Sequence, residues 1–252
     1  MINHYSSPFI KQVRFKKEVI PSFDTYPFHF PFIRAEAIDL HPKITYIIGE
    51  NGMGKSTLLE AIALAAGFNP EGGTFHFNFS TYQSHSELEH YIKLIKGTRR
   101  PKDGFFLRAE TFYNVATNIE ELDKEPGMGP RIIDGFGGKP LHEQSHGESF
   151  FAAFNHRFRG NGLYILDEPE AALSPLRQLS ILSRMHDLLA ENSQFIIATH
   201  SPLLMAYPDA TIWELTEEGL REKPLEETGH YKIMKQFFED KERLLHHLLS
   251  GK

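Results

Sequence analysis

An α/β domain, its strands alternating with helices, is the fold that this sequence predicts. Continuous apolar runs rich in β-branched residues stand at 44–48, 163–166 and 194–199, reading as buried strands. Apolar residues at helical spacing follow the first two of these runs. Residues that turn or cap the chain occupy the junctions between them.

Taken in order, Ile10-Lys11-Gln12-Val13-Arg14-Phe15-Lys16 alternates with period two and predicts a half-exposed strand. Pro8, Pro21, Pro27, Pro31 and Pro42 punctuate the neighbouring sequence, where Tyr26, Phe28, Phe30 and Phe32 sit in a loop or hairpin. After the buried run at 44–48 come Leu58, Leu59, Ile62, Ala63 and Ala66 at helical spacing, with Gly67 as the stop signal. A further strand is expected over Gly104-Phe105-Phe106-Leu107-Arg108-Ala109-Glu110, and a helix carrying Phe150, Phe151, Phe154 and Phe158. Ser174 before Pro175 marks a helix start, with Leu179, Leu182, Met185 and Leu189 along one face. Met234, Phe237, Phe238, Leu245, Leu248 and Leu249 form a final amphipathic stripe, expected to close the domain's own core.

The loop between the first buried strand and its helix reads Gly49, Glu50, Asn51, Gly52, Met53, Gly54, Lys55, Ser56, Thr57. It fits the phosphate-cradling pattern of Gly, four residues, then Gly-Lys-Ser/Thr. Its glycines let successive N–H groups face phosphate oxygens, Lys55 can reach the β- and γ-phosphates, and the Ser56 hydroxyl can ligate Mg²⁺. The arrangement also aims a helix N-terminus at the anion. Far downstream, the strand at 163–166 ends in Asp167 and Glu168, where the first carboxylate suits Mg²⁺ and the second can polarise water. The run at 194–199 ends at His200, placed where ligands meet the carboxyl ends of α/β sheets. Between the glycine loop and this downstream region stands Gln144-Ser145-His146-Gly147-Glu148-Ser149.

The order of these segments resembles an ATP-binding-cassette-type ATPase, and more closely the SMC-type and double-strand-break-repair heads than the transporter subunits. The resemblance covers nearly the whole chain. It implies a Walker A loop at Gly49–Thr57, a Walker B strand ending at Asp167, Glu168 as catalytic glutamate, a D-loop at Ala171–Ser174 and His200 as switch histidine. It also implies that Ser145 and Gly147 keep the signature motif, although Gln144 replaces the usual Leu and His146 the first Gly. At the position where transporter cassettes carry a Gln, this chain offers Glu110, a further Mg²⁺ candidate, or Arg108. Tyr26 is the implied adenine-stacking aromatic, with core packing by these rings the competing reading, and Arg14 is a basic residue that could approach the nucleotide. No heptad run supplies the coiled-coil arm of SMC-type heads. The resemblance implies one head over 1–252, a mixed sheet with flanking helices and a small helical lobe, with the nucleotide-binding core at about 1–85 and 155–252 and the helical signature lobe at about 86–154.

The chain of 252 residues is 40% hydrophobic, enough for one sizeable α/β core. It contains no cysteine, which excludes disulfides and thiolate metal sites and suits a reducing cytoplasm. No signal peptide or membrane-spanning run is read in it. A net charge of −6 argues against a dedicated nucleic-acid binder. Lys93, Lys96, Arg99, Arg100 and Lys102 form a local exception that either contacts DNA or is a solvated helix end and turn. The 14 histidines show no ligand-spaced cluster. Together these readings point to an ATP- and Mg²⁺-dependent switch. Two copies would close head to head around ATP and act on an unidentified output partner in DNA repair, chromosome maintenance or defence. A transporter ATPase subunit is the alternative, and a non-hydrolysing scaffold is the third class.

Overall fold

A computed structural model describes residues 7–75, 86–109, 111–124 and 131–250, the side chain of His146 apart. In chain order the elements are β1 (Ile10–Phe15), β2 (Ala37–Asp39), β3 (Ile44–Gly49), α1 (Lys55–Ala66), β4 (Ile92–Lys96), β5 (Asp103–Arg108), α2 (Phe112–Leu122) and α3 (His146–Ala152). They continue with β6 (Gly162–Asp167), α4 (Pro175–Ala190), β7 (Gln194–Ala198), α5 (Pro202–Met205), β8 (Thr211–Thr216), β9 (Gly219–Glu222), α6 (Gly229–Glu239) and α7 (Lys241–Ser250).

Two sheets result. The larger has the order β5-β6-β7-β3-β8-β9, parallel except for the antiparallel edge strand β9. The smaller is the antiparallel β2-β1-β4. Every residue of β3, β6 and β7 is buried, because helices cover both faces of a parallel sheet; that is why these strands read as unbroken apolar runs. Alternation along β3 splits the core. Ile44, Tyr46 and Ile48 pack on one face with α4 and the Phe150–Phe158 cluster, while Ile47 packs on the other with Leu58, Leu59 and Ile62 of α1. Gly67 ends α1 in the left-handed conformation, its N–H donating to the carbonyls of Ala63 and Leu64. Ser174 accepts from Arg177 N–H at the start of α4, with Pro175 at the first helical position.

Several expectations change. The buried face of α4 is Gln178, Ile181, Met185 and Leu188, with Leu189 beside it, whereas Leu179 is 48% exposed. Choosing Leu179 moved the face by one residue, about 100° of helical rotation. The segment assigned to the helical lobe supplies β4 to the small sheet and β5 to the large one, so helical structure on that side begins at α2. Lys93 and Lys96 therefore lie on a strand, not a helix end. The last apolar stripe does not close the core. No residue of α6 or α7 is buried, and Phe238 and Leu249 are 75% and 82% exposed. Amphipathic spacing shows that a helix has an apolar face, not what covers it. Here α4 and α5 already fill the sheet face, with Ile181, Met185, Leu188, Leu204 and Met205 all in the core.

Candidate active site

The loop between β3 and α1 turns through Gly49, Gly52 and Gly54, whose φ angles of 147°, 82° and 84° suit glycine rather than side-chain-bearing residues. At Gly54 space is a second demand, since a Cβ there would lie 2.9 Å from the rings of Phe30 and Phe32. Those rings stack on each other, centroids 5.5 Å apart, and so wedge the N-terminal segment against the loop. Lys55 opens α1 with its stem buried and Nζ curled back, donating to the carbonyls of Gly49 at 3.0 Å and Glu50 at 3.1 Å. Burial lowers its pKa, while the carboxylates of Glu168, Asp167 and Glu170 act the other way. Thr57, half-buried, follows in the same first turn.

Ser56 stands between Lys55 and Thr57, and its hydroxyl donates to Asp167 Oδ1 at 3.1 Å across 111 residues of chain. Strand register places Arg108 of β5 beside Asp167 of β6. Arg108 Nε lies 3.7 Å from Asp167 Oδ2, and its Nη1 donates to Glu60 Oε2 of α1 at 2.6 Å. Glu168 follows in the left-handed region at φ 50°, a strained conformation for a non-glycine residue. Its Oε1 stands 3.5 Å from His200 Nε2. The His200 backbone N–H donates to Glu170 Oε1 at 2.5 Å, a carboxyl whose pKa burial raises. On the far side of the ring, His200 Nδ1 is 3.2 Å from Nε2 of His230, the second residue of α6. Burial holds both imidazoles below the usual histidine pKa. Glu50, Asn51, Glu168, His200 and His230 line one cavity of about 560 Å³. A second cavity of about 500 Å³ adjoins it, bounded by Gly49, Met53, Leu215 and Ile233.

Ser145 and Gly147 are placed elsewhere. Ser145 caps α3, where its backbone N–H and hydroxyl both donate to Glu148 Oε2, at 3.0 and 2.7 Å. Those bonds pull the Glu148 pKa down. Gly147 permits close packing: a Cβ there would stand 2.3 Å from the Ala172 carbonyl, so α3 rests on the turn at Pro169–Ala172. Neither residue lines the cavity holding Glu168 and His200.

Among the described residues the chain thus brings together an anion-cradling loop, a hydroxyl–carboxylate pair, and a carboxylate facing a histidine. All stand at the carboxyl ends of neighbouring parallel strands. In fold and motif order, the chain is an α/β P-loop NTPase with the fold of the ABC-type ATPase heads. Residues 28–135 of the head match a family model described as "AAA domain", and residues 140–206 match one described as "AAA domain, putative AbiEii toxin, Type IV TA system". The head is 26% identical over 205 residues to the tungstate uptake system ATP-binding protein TupC of Campylobacter jejuni, an alignment spanning 71% of this chain and 60% of that relative. It is 36% identical over 69 residues to the DNA replication and repair protein RecF of Colwellia psychrerythraea, spanning 27% of this chain and 17% of RecF. Among solved structures it is similar to "an inward-facing conformation of a putative metal-chelate type ABC transporter", with TM-score 0.50 and 16% identity, covering 90% of this chain and 88% of that one. Among the described residues no helix is long and apolar enough to cross a membrane.

Three other site expectations need placing on the head. Glu110 lies outside the described residues, while Arg108, the other choice for that position, reaches Asp167 as given above. Tyr26 is 61% exposed, its ring 6.1 Å from that of the buried Phe30, and it is Phe30 and Phe32 that abut Gly54. Arg14 donates instead to Gln12 along β1, in the smaller sheet. Sequence reading missed Glu170, which pins the His200 backbone, and His230, which meets its ring. Glu170 adjoined a motif and was findable there. His230 carried no local signal among the 14 histidines.

Proposed function

We propose that the head binds ATP with Mg²⁺, hydrolyses it to ADP and phosphate, and works as an ATP-gated pair of heads. The observation that carries this reading is the Ser56–Asp167 bond beside the Glu168–His200 pair, which supports a Mg²⁺–triphosphate site built from one chain. A hydroxyl and a carboxylate 3.1 Å apart form a hard-oxygen donor set suited to Mg²⁺, with Ser56 and Asp167 as its holders. Once bound, the ion would neutralise phosphate charge. Lys55 and the α1 N-terminus would take the rest of that charge, exchanging the Gly49 and Glu50 carbonyls for phosphate oxygens. Glu168 would orient and deprotonate the attacking water, and His200 would donate to the terminal phosphate.

Support for the pairing comes from a segment that does not line this site. Ser145 is exposed and, among the described residues, bonded within its own cap, in a segment that resembles the motif closing on a partner's ATP. Glu168→Gln should therefore keep ATP, lose hydrolysis by orders of magnitude and accumulate as a dimer. Adding Ser145→Arg should return it to monomer with ATP still bound. Light scattering on a sizing column decides; a Glu168→Gln protein that stays monomeric at saturating ATP removes the homodimer and favours a different partner chain.

We read the biological role as DNA repair, chromosome maintenance or defence, supported by the RecF likeness and the DNA-repair-type motif pattern. Likeness to TupC favours a second reading, the ATPase subunit of a transporter, which predicts co-purification with an integral membrane protein. The absence of cysteine suits a reducing compartment for either.

A further inference from the structure

We infer that His230 is a positioning residue for hydrolysis: its Nε2–H fixes the tautomer and orientation of His200, so that the first turn of α6 is part of the catalytic switch. The inference rests on the hydrolysis reading above.

A neutral imidazole has one N–H donor and one lone-pair acceptor, and only one arrangement serves this site. His200 Nε2 faces Glu168 Oε1 at 3.5 Å and borders the cavity beside the phosphate-cradling loop. A lone pair on Nε2 would confront a carboxylate and an anionic substrate, so Nε2 has to carry the proton. Nδ1 must then accept. The group within hydrogen-bond distance of it is His230 Nε2, at 3.2 Å, which has to be the donor. The backbone N–H of His200 is anchored separately by Glu170, so ring rotation is the freedom left for His230 to remove.

His230 is itself rigidly mounted. Thr228, fully buried, caps α6 by accepting from Tyr231 N–H at 3.2 Å, and its hydroxyl donates to the Leu225 carbonyl at 2.8 Å. No residue of α6 itself is buried, so the buried Thr228 cap and the His230 contact are what tie the helix to the site. A space-filling role predicts a different mutational pattern. Leucine would then serve about as well as histidine, whereas a donor role requires an N–H at the Nε2 position.

The test uses His230→Ala, His230→Leu and His230→Gln in the full chain, the Gln amide reaching about where Nε2 stands. Phosphate release is measured against ATP concentration, and ATP affinity is measured separately by calorimetry. Loss of an outer-shell orienting partner typically costs about 10–100-fold. The Ala and Leu variants should lose kcat on that scale with ATP affinity unchanged, and Gln should recover most of it. Histidine ¹⁵N spectra, with the His200 signal assigned by its loss in His200→Ala, should show the Nε2–H tautomer in wild type and a mixture in His230→Ala. Equal kcat in wild type and His230→Ala, or a Gln variant as slow as Leu, overturns the inference. If wild-type protein releases no phosphate, the hydrolysis reading fails, and the tautomer spectra still decide whether His230 sets the His200 ring.

Discussion

The Walker side of the head and its signature side are built to different standards of completeness. On the Walker side, side chains from β3–α1, β6 and β7 meet within bonding distance, and Lys55 and Asp167 are buried. On the signature side, Ser145 and Glu148 are exposed and bonded to each other within one turn of helix, and Glu148 Oε1 also faces Arg177 of α4 at 3.7 Å. The first region draws its side chains together from within one chain. The second is a surface whose polar groups are capped in place and available to another molecule. Gly147 sharpens the contrast, because its missing Cβ already serves packing on the Ala172 carbonyl within the chain. It therefore cannot be read solely as clearance for a partner's phosphate.

The largest effect is expected at the centre of the complete half. Lys55→Ala removes a buried cation from the loop, and a charge-assisted contact of about 1.5–3 kcal/mol corresponds to roughly 10- to 100-fold in ATP affinity. Calorimetry should show that loss with an unchanged circular dichroism spectrum. Near wild-type binding would mean that the loop is not the nucleotide site.

Ser145→Arg probes the incomplete half. It should leave ATP binding by the single head intact while abolishing phosphate release, apart from about 1 kcal/mol of stability lost with the cap. A matching fall in ATP affinity would dissolve the distinction between the two regions.

Gly54→Ala asks how tightly the loop is held. A Cβ in the left-handed region, 2.9 Å from the Phe30 and Phe32 rings, should cost roughly 1–3 kcal/mol in denaturant unfolding. Stability unchanged within error would show that the N-terminal aromatics yield freely.

The smallest effect is electrostatic. Burial lowers the pKa of His200 and His230 beneath 6.5, so as pH falls through that value the unfolded chain takes up protons first and the folded state loses stability. Glu170, whose pKa burial raises, binds its proton more readily when folded and works in the opposite sense. Melting temperatures measured downward from neutral pH should therefore fall less steeply for a His200→Asn, His230→Asn double variant than for wild type. Parallel curves would remove these two rings from the balance.

The sequence by itself determined the elements whose causes are local. Glycines at 49, 52 and 54 were needed for positive φ, and β3, β6 and β7 were legible because burial on both faces leaves unbroken apolar runs. Ser174–Pro175 and Gly67 announced helix ends through their own backbone chemistry. Tertiary structure alone decided what depends on register and docking. The pairing of β5 with β6 set Arg108 against Asp167, and the path of the chain after β9 brought His230 to His200 from 30 residues away. It also left the apolar stripe of α6 and α7 exposed, although its spacing is that of a packed helix. The reason is common to all three: turn geometry and apolar periodicity act over a few residues, whereas these contacts are chosen by the packing of whole elements.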